Sequence, residues 1–377
     1  MEKVLILYGS YGGGHKAVAN TMKQHIEENY KDKEVAMIDC IEYISKTINK
    51  LTTGAYNQMG RKAPWLWKKV YFNSERGMLA KVSNGINALM SKKLCKLIEK
   101  EDPSVIISTH PFSTQMCGLL KKEGKIKCKV ATIMTDYEIH NQWLQESDNI
   151  DYYFVAHGGM RESMVNRGVD AFKIFITGIP ISNRFLEEFN KIQLLDQFGL
   201  EENKKTVLFF GGGEMGLGKE KTCEVLKALI TCFNNIQIIA ISGKNETMYE
   251  AFETIVTETK SRSRVKVVKY TTKVPELMSI SNIVITKAGG LTTTESVASG
   301  VPMIIINPLP GQEEQNAEFL EKKKVAVWLR KHNDVKEFLK SVIGSDEKLE
   351  QMKNNTKILA KKTSTRDICK IIFEEEI

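Results

Sequence analysis

The sequence predicts an α/β chain folded as two doubly wound domains, each a parallel sheet flanked by helices. Three observations carry that expectation. Short β-rich runs alternate with helix-length amphipathic segments along the whole chain, the pattern of repeated βαβ units with right-handed crossovers. At 377 residues the chain exceeds the size at which a single core usually stops growing. A glycine-rich loop follows the first strand of each half, at 9–14 and 211–218, and the carboxyl ends of strands are where open α/β sheets bind ligands.

The first strand series is expected at 3–8, 34–39, 104–109, 129–135, 152–156 and 173–177. The second is expected at 206–210, 236–241, 265–268, 283–286, 303–306 and 325–328. The break between them falls near Gly178-Ile179-Pro180, which gives domains of 1–180 and 181–359. Residues 182–198 should be helical and lead into the second series. Residues 346–376 should be helical with a charged face, the part from about 360 folding back on the first domain.

A hydrophobic content of 42% is enough for both cores. No apolar run approaches the ~18 residues that span a bilayer, and the opening MEKVLILYGS has too short an apolar segment and no small-residue cleavage site for a secretory signal. A cytoplasmic protein is expected. The seven cysteines (40, 95, 117, 128, 223, 232 and 369) are odd in number and scattered without C-x-x-C spacing, against disulfides and against zinc.

The net charge of +8 is concentrated in one segment. Residues 41–100 hold twelve Lys or Arg and three acidic residues, leaving the remainder close to neutral. There Trp65, Leu66, Trp67, Tyr71 and Phe72 stand beside Lys68 and Lys69, the mixture of amphipathic aromatics and cations favoured at a membrane interface. Each lysine near an anionic bilayer contributes about 1 kcal/mol. The alternative is a solvated helical face with a few core aromatics. Nucleic acid is not an expected partner, because no reader motif and no basic stripe accompany the cluster.

The first glycine loop reads Gly9-Ser10-Tyr11-Gly12-Gly13-Gly14-His15-Lys16-Ala17. Gly12, Gly14 and Ala17 satisfy the dinucleotide fingerprint, with Asp39 as its acid, but Asp39 lies later than the usual ~20 positions and the fingerprint does not account for His15. A helix N-terminus disfavours the imidazolium, so His15 should be neutral and able to take a proton as a general base. A capping or packing histidine is the alternative. Thr109-His110-Pro111-Phe112 and the stretch 134–143, which holds Asp136, His140 and Trp143, follow apolar strands and should line the same cleft. Asp136 either assists His15 or is a turn residue.

In the second half, Gly211, Gly212, Gly213, Met215 and Gly216 form a strand-to-helix loop poised to offer N–H groups to phosphate. It lacks the G-K-[ST] ending of a P-loop, against ATP hydrolysis. Ser242-Gly243-Lys244-Asn245 repeats the device one strand later. Residues 270–277, with Thr272, Lys273 and Val274, make a Pro275-containing loop suited to a flat base. Lys287-Ala288-Gly289-Gly290-Leu291-Thr292 turns sharply into a helix carrying Glu295, and Gln312, Gln315 and Asn316 follow in a polar loop. No D-x-D pair is present to hold a metal on a nucleoside diphosphate. Leaving-group charge would then fall to N–H groups, helix N-termini, Lys244 or Lys287.

Taken in order, GSYGGGHKA, MTDYEIHNQW, FFGGGEMGLG, ISGKN, ITKAGGLTTTES and PLPGQEEQN resemble the GT-B glycosyltransferases typified by plant monogalactosyldiacylglycerol synthases and bacterial processive diacylglycerol glucosyltransferases. The N-acetylglucosaminyltransferase of the lipid-linked peptidoglycan precursor is a more distant likeness. The resemblance implies two Rossmann-like domains facing a cleft and a metal-independent, inverting transfer of glucose or galactose from a UDP-sugar. The acceptor would be the 3-hydroxyl of 1,2-diacylglycerol and the product a β-glycosyldiacylglycerol. N-acetylglucosaminyl transfer to the peptidoglycan precursor is the alternative. By the same resemblance His15 is the base and Gly13 and Gly14 border the donor. Gly211–Gly213 with Met215 and Gly216 would hold the diphosphate, and Ser242–Asn245 with 272–274 the uridine. Glu295 would bind the ribose as an ionised carboxylate, Gln315 and Asn316 would read the sugar, and Gly289 and Gly290 would admit the pyrophosphate. Lys244 stands where an arginine is more usual, and lacks its forked donors. The basic, aromatic segment would rest on the cytoplasmic face of the membrane.

Overall fold

A computed structural model of the chain describes residues 1–10, 13–46, 65, 69, 80–212 and 218–374. It divides into two compact units, one of Met1–Ile181 with the segment from Lys361 onward, the other of Ser182–Ala360. In the first unit the described elements are β1 (Glu2–Tyr8), α1 (Gly13–Asn29), β2 (Lys33–Asp39), α2 (Cys40–Ile44), α3 (Ala80–Glu101), β3 (Val105–Ser108), α4 (Pro111–Lys122), β4 (Lys129–Ile133), β5 (Tyr152–Val155), α5 (Gly158–Asn166) and β6 (Ile174–Ile176). The second unit runs α6 (Lys191–Gln197), β7 (Lys205–Phe210), α7 (Lys219–Cys232), β8 (Ile236–Gly243), α8 (Glu246–Glu258), β9 (Val265–Lys269), α9 (Val274–Ser279), β10 (Ile283–Thr286), α10 (Gly290–Ala298), β11 (Met303–Ile306), α11 (Gln312–Lys322), β12 (Ala326–Leu329), α12 (Val335–Ile343) and α13 (Asp346–Leu359). The last helix, α14 (Ser364–Phe373), belongs to the first unit.

Every expected strand forms. The strands expected over 104–109 and 129–135 stop earlier, at Ser108 and Ile133, and the polar residues that follow stand at the carboxyl end of the ladder, where Thr109 N bonds the Leu7 carbonyl at 3.0 Å. Both sheets are six-stranded and parallel throughout, in the orders β2-β1-β3-β4-β5-β6 and β12-β11-β10-β7-β8-β9. Their central strands, Val4 to Leu7 and Val207 to Phe209 among them, are fully buried, as strands covered by helices on both faces must be. Strand order reverses between β1 and β3 in the first sheet and between β7 and β10 in the second. At such switch points neighbouring crossovers leave on opposite faces, and a crevice opens beyond the strand ends. Both glycine loops start from a strand beside one of these crevices.

Two expectations differ from the fold. Residues 182–198 hold a 3₁₀ turn, Asn183–Leu186, and a separate α6, because Asn190 caps a fresh helix by accepting from Gln193 N at 3.1 Å. The helical stretch expected over 346–376 breaks after Leu359, where Ala360 is extended and Ser364 Oγ donates to the Gly178 carbonyl at 2.9 Å. Past that break, α14 lies on α1: the Tyr30 hydroxyl donates to Glu374 at 2.7 Å, and the Tyr30 and Phe373 rings sit 5.0 Å apart. Asp39 caps α2 by accepting from Ile41 N and Glu42 N and also takes the Ser10 hydroxyl. It is consumed structurally and is not held open for a ribose.

The seven cysteines are unpaired thiols. No described helix is long and apolar enough to cross a membrane.

Candidate active site

At the first switch point, α1 begins within a few residues of the end of β1, and His15 stands in its first turn. Its Nδ1 lies 2.6 Å from the carbonyl oxygen of Thr109, at the end of β3. A carbonyl only accepts, so Nδ1 carries the proton and Nε2 keeps its lone pair. Thr109 closes the loop by donating its own hydroxyl to the His15 carbonyl at 3.0 Å, and Thr135 Oγ1, beyond β4, lies 3.2 Å from Nδ1. Burial of the ring, only partly offset by the Thr109 bond, lowers its pKa to about 4. The imidazole is therefore neutral at neutral pH, as expected, with desolvation as the main cause.

Two aromatic neighbours enclose it. The His110 ring meets His15 edge to face, with centroids 4.7 Å apart at 77°, and the Trp143 ring lies 6.4 Å away. His110 and His140 each turn Nδ1 back to accept a backbone N–H two residues on, from Phe112 and Gln142, both at 3.2 Å. His140 thereby caps the 3₁₀ turn Asn141–Leu144 that presents Trp143. His140 and Trp143, expected to line the cleft, are both buried, and Trp143 is the one whose ring lies beside His15. Trp65 and Lys69 are exposed. Asp136 is buried after β4, and the acceptor facing Nδ1 is the Thr109 carbonyl.

At the second switch point, Gly211 closes β7 where a Cβ would meet the Phe252 ring at 2.7 Å and Met248 at 3.0 Å. Packing alone therefore demands glycine there. Beyond β8, Ser242 is buried, and the Asn245 side chain caps α8 by accepting from Met248 N at 3.1 Å. Lys244 sits over the Tyr270 ring at 5.2 Å. Instead of the loop expected over 270–277, Val274 and Pro275 open the short helix α9, with the exposed Thr272 and Lys273 before it. Proline suits the first turn because no intrahelical bond needs its missing N–H. Arg184, not anticipated from sequence, donates to the Thr272 carbonyl at 3.1 Å and pairs with Glu276.

Past β10, Lys287 Nζ bonds Glu313 Oε1 at 2.7 Å, and Glu313 Oε2 accepts from Leu309 N at 2.8 Å. One buried carboxylate thus ties the turn after β10 to the loop after β11. Gly289 has φ −69 and ψ 135, extended backbone open to any residue, so the sharp glycine turn expected there is absent. Gly290 starts α10, with Ala288 buried and Leu291 and Thr292 half-buried. Thr293 and Thr294 spend their hydroxyls on the Gly289 and Gly290 carbonyls, at 2.8 and 2.6 Å. Glu295, half-buried on α10, has its pKa raised by burial to about 8. Enclosure thus favours the neutral acid over the ionised carboxylate expected of it.

Residues 312–316 open the helix α11 and do not form a polar loop. Asn316 is fully buried, its amide donating to the Ala288 carbonyl at 3.0 Å. It braces the turn after β10 from behind, unlike the sugar contact expected of it. Gln312 and Gln315 lie in the first two turns of α11, and Gly212, Gly243, Gly13 and Gly14 lie at the glycine loops. Gly213, Met215 and Gly216, like Trp67, Lys68, Tyr71 and Phe72, are outside the described residues. Sequence reading placed Thr109, His110 and Thr135 along the cleft without an individual role, and gave Glu313 none. Their one signal was polarity directly after an apolar strand.

Among solved structures, the chain is similar to Acinetobacter baumannii MurG, with a TM-score of 0.67 and 13% identity over 100% of both chains. It is also similar to an S. aureus MnaA–UDP co-structure, at 0.66 and 12% over 99% of this chain and 96% of that one. At such identities the likeness is one of fold, and the fold is GT-B, the two-domain α/β class of glycosyltransferases. In sequence, residues 15–181 match the monogalactosyldiacylglycerol (MGDG) synthase family and 206–371 the glycosyltransferase family 28 C-terminal domain. A processive diacylglycerol β-glucosyltransferase of Bacillus pumilus is 30% identical over 374 residues, covering 99% of this chain and 95% of that one. Its Bacillus cereus (strain G9842) counterpart is 31% identical over 355 residues, covering 94% and 89%. The chain belongs to the family of the processive diacylglycerol β-glucosyltransferases.

Proposed function

We propose that this enzyme transfers a hexose from a UDP-sugar to the 3-hydroxyl of 1,2-diacylglycerol with inversion, giving a β-glycosyldiacylglycerol. Family membership supports the reaction class, and the names of the relatives favour glucose over galactose. The observation that carries the mechanism is the Nδ1–H of His15 held on the Thr109 carbonyl. It leaves Nε2 as a neutral proton acceptor, and a low pKa keeps it unprotonated across the physiological range.

On this reading Nε2 removes the acceptor hydroxyl proton as oxygen attacks the anomeric carbon and UDP leaves. The second unit holds the donor: the glycine loops after β7 and β8 and the start of α10 offer N–H groups to the diphosphate, Glu295 meets the ribose, and Gln312 and Gln315 meet the sugar. No metal is required, and the basic, aromatic segment rests on an anionic membrane at its cytoplasmic face. Incubation with diacylglycerol vesicles and each radiolabelled UDP-hexose, followed by product analysis, tests the reaction. UDP-N-acetylglucosamine as competitor tests the peptidoglycan-precursor alternative. His15→Ala should abolish transfer while retaining UDP-sugar binding. Transfer lost in Asp136→Asn and kept in His15→Ala would move the base to Asp136.

A further inference from the structure

His110 follows Thr109 in the chain and its ring stands beside the base, and four separate features fix its position. At Gly9, the residue after β1, a Cβ would lie 2.9 Å from His110 Cδ2 and 3.0 Å from its Cγ. The ring thus occupies the space a side chain there would fill. Its Nδ1 accepts from Phe112 N at 3.2 Å, which caps α4 and sets the ring's rotation. Its carbonyl lies within hydrogen-bond reach of three hydroxyls, Ser108 at 3.0 Å, Ser113 at 2.9 Å and Thr114 at 3.3 Å. Those hydroxyls also bond one another and Thr132, all four side chains fully buried. An α4 cap needs only a polar acceptor at this position. It explains neither an imidazole nor the glycine cleared to admit one, and the ring's edge-to-face contact with His15 is what remains to be accounted for.

We propose that His110 is a positioning residue for the transfer reaction, its ring serving as a backstop that holds the His15 imidazole on the Thr109 carbonyl and shields it from water. The proposal rests on His15 being the base. When His15 takes the acceptor proton, a ring free to swing would leave Thr109 and present its nitrogens to solvent. The His110 ring, packed edge to face against His15, blocks that motion. Displacing a catalytic group by about 1 Å costs up to about 100-fold in rate. Loss of the shield would also let water reach His15 and return its basicity towards that of an ordinary histidine. Titratable groups at the ends of the surrounding elements include Tyr8 at the end of β1, beneath Lys16 of α1, Asp39 at the end of β2, His110 itself, and Asp136, Tyr137, Glu138 and His140 after β4.

Two substitutions separate the ring from the cap. His110→Asn retains a side-chain oxygen able to accept from Phe112 N and loses the ring. His110→Phe retains a ring and loses the cap. The proposal expects His110→Asn to melt near the wild type, to lose about 10–100-fold in kcat with KM for UDP-glucose little changed, and to shift the acid limb of its kcat/KM profile upward from about pH 4 towards pH 6.5. His110→Phe should melt lower and recover both the acid limb and most of kcat. If His110→Asn keeps the wild-type pH profile and rate while His110→Phe loses activity in step with its stability, His110 is a helix cap only and the proposal is overturned. Normal turnover in His15→Ala overturns the base reading itself, a separate outcome read on a separate variant.

Discussion

Burial acts in opposite directions on the two residues that matter most. His15 is held neutral by a pKa lowered to about 4, and Glu295 by one raised to about 8. For Glu295 the folded chain keeps a proton that the unfolded chain gives up near the ordinary value of 4.5, so this residue's contribution to stability falls as pH rises from about 4.5 to 8. Glu295→Gln removes that slope. Its melting temperature relative to the wild type should therefore be higher at pH 8 than at pH 5 in ligand-free protein, and an equal difference at both would refute the burial argument. The His15 contribution runs the other way, present above pH 6.5 and lost as pH falls towards 4. That His15 is neutral was legible from its place at a helix start after a glycine loop. The partner that fixes its tautomer was not, because the acceptor is a main-chain carbonyl 94 residues away and no side chain announces it. The neutral state of Glu295 was hidden for a similar reason: enclosure raises its pKa, and enclosure belongs to the folded chain.

Among the elements, α11 differs most from its sequence reading. The stretch holding Gln312, Gln315 and Asn316 reads as a polar loop, yet Gln312–Lys322 is helical. Polar residues line its inner face because each finds a partner there, Glu313 with Lys287 and Leu309 N, Asn316 with the Ala288 carbonyl. Ala317, Phe319 and Leu320 are buried further along, but apolar patterning gives no sign of a helix start whose buried residues are polar. Removing one member of a buried ion pair leaves the other uncompensated, at a cost of about 3–5 kcal/mol. Urea unfolding of Glu313→Gln should show a loss of that order, and Lys287→Met combined with Glu313→Gln should recover part of it. A loss below about 1 kcal/mol would mean that the pair is not a structural tie.

At the scale of the molecule, the twelve strands among the described residues were legible because continuous apolar runs between turns leave few alternatives. Their order was not, since it depends on pairings such as Val4 with Val105 across a long intervening segment, and with it went the knowledge that both glycine loops lie at switch points. The surplus of cations in 41–100 bears on the whole enzyme's whereabouts. Binding to vesicles should require anionic lipid and weaken as salt rises above about 0.1 M, where the Debye length is about 10 Å. Sedimentation indifferent to both would remove electrostatics from the account. The tie between Thr109 and His15 bears on how such an enzyme can change. Every amino acid at position 109 supplies the same carbonyl, so point mutation cannot delete the acceptor that selects the tautomer, and drift at that site spares the proton-accepting nitrogen. The strength of the base stays adjustable only through the rings and hydroxyls packed around it, and there variants with a different pH optimum should be sought.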